Sequence, residues 1–157
     1  MSNKSEKRGD KHSRRTLARL NAVQAFYQMG IEDQSADAII AEYLEHRLGA
    51  EIDGVQFKDS DKALFKDLVL GAKERIEEIE AQISDVLDKD RTLPRLELVM
   101  QATLKVAVYE ILASLDANSK VIITEYVGIS RTFFTGNEPS FVNGVLDRIA
   151  RIVRPTE

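Results

Sequence analysis

Three arginines, Arg14, Arg15 and Arg19, are the residues whose type and spacing most clearly predict chemistry. Apolar periodicity begins after Ser13, which predicts a helix capped by Ser13 with Arg14 and Arg15 in its first turn. Cations there oppose the helix dipole, so helix stability does not explain them. Guanidinium groups beside free N–H groups favour a bound anion such as phosphate. Arg19 follows Arg15 by one turn, so one face could follow a nucleic-acid backbone; the alternative is ordinary surface charge.

The charge of the chain is unevenly distributed. The formal net charge is −4, but residues 1–19 contain seven basic and two acidic residues, a net charge of +5 that leaves −9 for the other residues. A basic segment on an acidic body predicts contact with a polyanion at one end and, at the body, with a basic protein. Residues 1–12 are polar and without periodicity, which is typical of a flexible basic arm preceding one domain over residues 13–157.

Catalytic and metal-binding motifs are missing from the sequence. There is no cysteine, and neither of the two histidines, His12 and His46, has carboxylates at metal-ligand spacing. No nucleotide-binding, nucleophile-elbow or zinc-protease motif occurs. Lys73 and Arg75 interrupt the one acidic cluster, which therefore predicts a solvated helix face. We expect no enzyme activity, cofactor or metal. Without a signal peptide or an apolar run of ~18 residues, we expect a cytoplasmic protein.

The elements that must position these residues are predicted to be helices. Residues 121–134 are rich in Val, Ile and Thr, but their apolar positions recur every three or four residues, which favours a helix. Gly71 falls in mid-helix and predicts a close helix crossing. In the first helix, the buried face is expected to hold Leu17, Leu20, Val23 and Tyr27. About six helices without a convincing strand predict an all-α bundle. The predicted helices are 13–30, 35–48, 59–88, 95–115, 121–134 and 140–153.

A second functional signal lies in FVNGVLDRIAR, residues 141–151. Asn143-Gly144 usually marks a turn, but here it falls inside a helical apolar pattern, where glycine would allow a partner to approach closely. Phe141 lies off the main apolar stripe. It is expected to be an exposed site for a protein partner or a stacked base, and the alternative is that it fills the core.

Several segments together resemble the NusB family of transcription antitermination factors. They are RRTLARLNAVQAFYQM (14–29), LKVAVYEIL (104–112), SKVIITEYVGISRTFF (119–134) and FVNGVLDRIARIVRP (141–155). The resemblance implies two three-helix bundles packed together. It also implies binding of boxA-type single-stranded RNA in nascent ribosomal RNA transcripts, jointly with the ribosomal small-subunit protein NusE. Such binding promotes processive transcription by RNA polymerase.

The resemblance also implies which residues form the binding sites. Thr16 or Leu17 stands where the family often has a further arginine, so the RNA contact is expected to be weaker or to draw on Lys7, Arg8 and Lys11. The implied RNA-binding residues are Lys11, Arg14, Arg15, Thr16, Arg19 and Phe141. The implied NusE-binding residues are Tyr109, Glu110, Asn137, Glu138, Phe141 and Asn143.

Two other functions remain open from the residues alone. The chain could be a helical protein–protein adaptor whose basic segment is incidental, or a catalytic bundle that uses its acidic helix, Glu74, Glu77, Glu78 and Glu80. A homodimer that hides the RNA-binding face is a further alternative.

Overall fold

The computed structural model describes residues 4–47, 51–52, 55–56 and 60–157, with side chains for residues 14–46 and 60–157. Within these ranges the helices are joined by turns, and one antiparallel strand pair of two residues each, β1 with β2, is also present. The all-α prediction is confirmed. The elements are α1 (Lys4–Glu32), α2 (Ala36–Glu42), a π-helical turn (Tyr43–Arg47), β1 (Glu51–Ile52), β2 (Val55–Gln56), α3 (Lys62–Glu74), α4 (Ile76–Val86), a 3-10 turn (Leu93–Arg95), α5 (Leu98–Ala113), α6 (Ser119–Phe133) and α7 (Glu138–Val153).

The first helix begins at Lys4, so the predicted start at Ser13 is wrong. Residues 4–12 are rich in Lys, Glu and Arg, which have high helix propensity, and apolar periodicity cannot detect a helix without an apolar face. Arg14 therefore lies roughly three turns inside the helix, where the N–H groups are already bonded and the dipole is weak. A free helix end consequently cannot strengthen a phosphate site at Arg14 and Arg15, although their own charge remains.

The buried side of α1 also differs from the prediction. Leu17 and Leu20 are half-buried and Tyr27 is 38% exposed, whereas Val23 is buried as predicted. Small side chains occupy most of the buried positions, which lets neighbouring elements approach the helix closely. The buried apolar residues of α1 are Ala18, Ala22, Val23, Ala25 and Met29.

The chain falls into two compact units, residues 1–70 and 71–157, and α3 runs from the first into the second. In the first unit, Tyr43 and Phe65 stack with their ring centres 5.3 Å apart. Asp61 caps α3 by accepting a hydrogen bond from the Leu64 N–H at 2.9 Å. The backbone N–H of Asp61 also donates to the Arg14 carbonyl at 3.0 Å, which fixes the start of α3 beside α1.

The second unit confirms the helix over 119–133 and corrects the predicted long helix over 59–88. That helix is interrupted at Arg75, whose φ of −106° and ψ of 23° separate α3 from α4. Gly71 is a close crossing point as predicted, because a Cβ added there would overlap the ring of Tyr109. The central helix α5 is buried around most of its circumference, which is typical of a helix that is hydrophobic on all sides.

Arg154, just after α7, ties the end of α5 to the start of α6. Its guanidinium donates to the Glu157 carboxylate at 2.7 Å, and that carboxylate accepts from the backbone N–H and the hydroxyl of Ser119. The Ser119 hydroxyl first, and then Arg154, lower the pKa of Glu157 from 4.5 to about 2. Arg154 also donates to three backbone carbonyls, those of Ile111 at 2.7 Å, Ser114 at 2.6 Å and Ala117 at 2.8 Å.

No helix in the described part of the chain is both long enough and apolar enough to cross a membrane.

Candidate nucleic-acid interface

The arginines of α1 differ in how far they reach solvent. Arg14 is exposed and Arg15 and Thr16 are half-buried. Arg19 is only 2% exposed, so the prediction that it extends a phosphate-binding surface is wrong. The backbone of Lys11 belongs to α1, but its side chain lies outside the described ones. In the first unit, Arg14 and Arg15 are thus the described cations of α1 that could contact a phosphate.

Phe141 lies on α7 in the second unit, half-buried rather than in the core. The guanidinium carbon of Arg91 lies 4.5 Å from the centre of its ring, a cation–π contact. The ring forms part of a shallow cavity of about 180 Å³, which we call the Phe141 cavity. It is lined by Val86, Leu87, Asp88, Arg91, Phe141, Gly144, Val145 and Arg148.

Two guanidinium groups give this cavity its chemistry. Arg148 donates to the Val86 carbonyl at 3.2 Å, which holds it at the cavity. Gly144 leaves the cavity open, because a Cβ there would meet nothing within 4 Å. The cavity thus combines an aromatic face, two cations and one carboxylate, that of Asp88. The ring can stack on a planar base, and the guanidinium groups can bind its phosphate.

Sequence reasoning missed both of these arginines. Arg148 follows Phe141 by seven residues, two turns along one helix face, so helical spacing could have found it. Arg91 lies fifty positions before Phe141 in the chain, and only tertiary structure brings the two together.

Asn143 does not share a surface with Phe141. Two residues along a helix correspond to a rotation of about 200°, so the two side chains lie on opposite sides of α7. Asn143 instead lines a groove of about 380 Å³ between α6 and α7. At the start of α7, Asn137 is exposed, and the half-buried Glu138 accepts a hydrogen bond from the Gly136 N–H at 3.0 Å.

Tyr109 and Glu110 are buried, at 7% and 2% exposure, so the prediction that they lie at a partner surface is wrong. Both belong to the central helix α5. The Glu110 carboxylate accepts a hydrogen bond from the Tyr126 hydroxyl at 2.8 Å. The ring of Tyr109 lies against Gly71. In this arrangement neither side chain can contact a partner directly.

Acidic clusters in the described part of the chain do not form metal sites. No group of three or more His, Cys, Asp or Glu there could hold a metal ion. Along α4, Glu78 pairs with Arg75 at 3.0 Å and Glu80 with Lys105 at 3.7 Å, both partly exposed. This part of the acidic cluster is a solvated face, as predicted, and two of its carboxylates form ion pairs.

Comparison with known proteins agrees with this architecture. The model of the NusB family matches residues 16–151. The transcription antitermination protein NusB of Novosphingobium aromaticivorans is 43% identical over 140 residues, 89% of this chain and 95% of the relative. That of Brucella ovis is 39% identical over 142 residues, 90% of this chain and 83% of the relative.

Solved structures show the same fold. NusB of T. maritima superimposes with a TM-score of 0.72 at 31% identity, covering 87% of this chain and 89% of that one. A crystal structure of antitermination factors NusB and NusE in complex with dsRNA gives a TM-score of 0.71 at 24% identity, covering 87% of this chain and 96% of that one, a likeness of fold. This chain therefore belongs to the NusB family.

Proposed function

We propose that this protein is a transcription antitermination factor that binds boxA-type single-stranded RNA in nascent ribosomal RNA transcripts together with NusE. In this role it promotes processive transcription by RNA polymerase, without a cofactor or catalytic activity of its own, in the cytoplasm. The observation that carries the proposal is the family match over residues 16–151, since the curated relatives are named as antitermination proteins. The Phe141 cavity supports it with suitable chemistry.

RNA binding would combine two kinds of contact. Arg14 and Arg15 would hold phosphates and so position the strand, with Lys11 and Thr16 beside them on α1. The Phe141 ring would stack a base, and Arg91 and Arg148 would neutralise the adjoining phosphates. NusE would contact polar groups at the start of α7, for which the exposed Asn137 and Asn143 and the half-buried Glu138 are candidates. The acidic body would speed association with a basic ribosomal protein.

The first test is a titration of boxA-type RNA, with and without NusE, at two salt concentrations. Replacing both Arg14 and Arg15 with alanine should weaken binding and reduce the salt slope by about 0.7 for each phosphate that is no longer neutralised. The melting temperature should change little, since neither side chain is buried. The matched control is alanine at Lys66 and Lys73, two exposed cations of α3. Unchanged affinity in the arginine variant would favour the protein–protein adaptor.

Phe141→Ala should weaken RNA binding by roughly 5- to 150-fold, because stacking one base contributes about 1–3 kcal/mol. The free energy of unfolding should fall much less than for a core phenylalanine, since Phe141 is half-buried. Phe133→Ala is the control, because Phe133 is a half-buried phenylalanine of α6 outside the cavity. A large loss of thermal stability with normal RNA affinity would show that Phe141 serves packing.

A further inference from the structure

The groove between α6 and α7, which we call the α6–α7 groove, is lined by neutral side chains and one cation. Its volume of about 380 Å³ is about twice that of the Phe141 cavity. Hydroxyl, amide and guanidinium groups line it together with one valine and one proline, and no carboxylate does. The lining residues are Thr124, Val127, Arg131, Pro139, Ser140 and Asn143.

Arg131 supplies the charge of this groove. It is exposed in the last turn of α6, and no ion pair involves it among the residues that the structure describes. The residues one turn earlier, Val127 and Gly128, cannot pair with it. A cation at a helix C-terminus complements the dipole, which explains its position on α6. The dipole does not explain why hydroxyl and amide groups of α7 face the same space.

The α6–α7 groove and the Phe141 cavity flank the same first turns of α7. Ser140 lines the groove and Phe141, the next residue, lines the cavity. A helix with its side chains is about 10 Å across, a distance that a short single-stranded segment can span. Asn143 and Gly144 on this part of α7 are exposed. Two glutamates lie close to the groove in sequence, Glu125 beside Thr124 and Glu138 before Ser140, and neither lines it. Glu138 accepts a hydrogen bond from the Gly136 N–H.

We propose that the α6–α7 groove is a second phosphate site for the same RNA strand. The strand would cross the N-terminal half of α7, with one base at Phe141 and a neighbouring phosphate at Arg131. Ser140 and Asn143 donate hydrogen bonds to that phosphate, so this inference assigns Asn143 to the RNA and leaves Asn137 and Glu138 as the candidates for NusE. The inference rests on the proposed function, since it extends the path of the RNA beyond the Phe141 cavity.

Ser140→Glu is the sharpest test, because it separates RNA binding from folding. Ser140 is the third residue of α7, a position where a glutamate favours the helix through the dipole. The variant should keep or raise the melting temperature, whereas its carboxylate repels a phosphate in the groove. We expect boxA-type RNA to bind on the order of tenfold more weakly. Ser140→Gln, which matches the glutamate in size and has no charge, should weaken binding less than Ser140→Glu, and the difference between the two variants measures the repulsion by the carboxylate.

Arg131→Gln tests the same site through the salt dependence. Without this cation one phosphate is no longer neutralised, so the slope of log K against log salt should fall by about 0.7. The control is Arg151→Gln, which removes an equal charge from an exposed arginine paired with Asp147 at 3.0 Å and outside both sites. That control should leave the slope unchanged.

The outcomes separate this inference from the proposed function. If the wild-type protein binds no RNA, with or without NusE, the proposed function fails. If it binds RNA, and Phe141→Ala weakens binding while Ser140→Glu and Arg131→Gln do not, the function stands and the second phosphate site is wrong. If Ser140→Glu weakens NusE binding without RNA but leaves RNA binding unchanged, the groove binds protein, which also overturns the inference.

Discussion

Glu110→Lys is expected to destabilise the protein by about 3–5 kcal/mol, because it places an unpaired charge at a buried position. Glu110 is 2% exposed and accepts a hydrogen bond from the Tyr126 hydroxyl at 2.8 Å. A lysine cannot accept that bond, so the buried hydroxyl would also lose a partner. Urea unfolding followed by circular dichroism measures the effect. The variant should lose NusE binding only in proportion to the fraction of the protein that is unfolded.

Glu110→Gln is the matched control, since its amide oxygen can still accept from Tyr126. Its expected cost is about 1 kcal/mol, the typical net contribution of one hydrogen bond. If Glu110→Lys unfolds at the wild-type urea concentration and yet no longer binds NusE, Glu110 acts at a partner surface, as the resemblance alone implied.

Gly71→Ala is expected to destabilise the protein by about 1–3 kcal/mol through overpacking. The new Cβ would overlap the ring of Tyr109, which is 7% exposed and has little room to move. Alanine is intrinsically better than glycine in a helix by up to ~1 kcal/mol, so the observed loss is the net of the two effects. Thermal and urea unfolding both measure it.

Gly128→Ala provides the control because Gly128 is a glycine within α6 where an added Cβ would meet nothing within 4 Å. It should stabilise the protein by up to ~1 kcal/mol. Combining Gly71→Ala with Tyr109→Leu completes a double-mutant cycle, in which the cost of the alanine should shrink once the ring is gone. If the two glycine substitutions have the same effect, the close crossing at Gly71 does not constrain the fold.

The helical fold could be predicted from the sequence because most helices carry an apolar pattern with the helical period. The same criterion failed where that pattern is missing or misleading. Residues 4–12 form a helix of polar residues, so periodicity gave no signal there. Three of the six buried positions on α1 are alanines, which contribute less to an apolar pattern than Leu17 and Leu20 do. The interruption at Arg75 could not be predicted, because no proline or glycine stands at that position.

The candidate site was only partly predictable, for a different reason. The half-buried position of Phe141, at a cavity rather than in the core, follows from its place off the apolar stripe of α7. Arg19 and Glu110 carry charge, and charge alone suggests a surface position, whereas packing buries both. Arg91 lies in the turns that follow α4 and contacts Phe141 only in the folded chain. The spacing of residues along the sequence therefore could not predict this contact.

The contact between Arg154 and Glu157 bears on how the protein responds to acid. Because the folded-state pKa of Glu157 is depressed to about 2, its contribution to stability is complete above about pH 4.5 and is lost only as the pH falls through about 2. The tie between α5 and α6 therefore keeps its charges throughout the neutral and mildly acidic range. A change in RNA or partner affinity between pH 8 and pH 6 would have to arise from other groups. The contacts that Arg154 and Glu157 make with α5 and α6 would not change over that range.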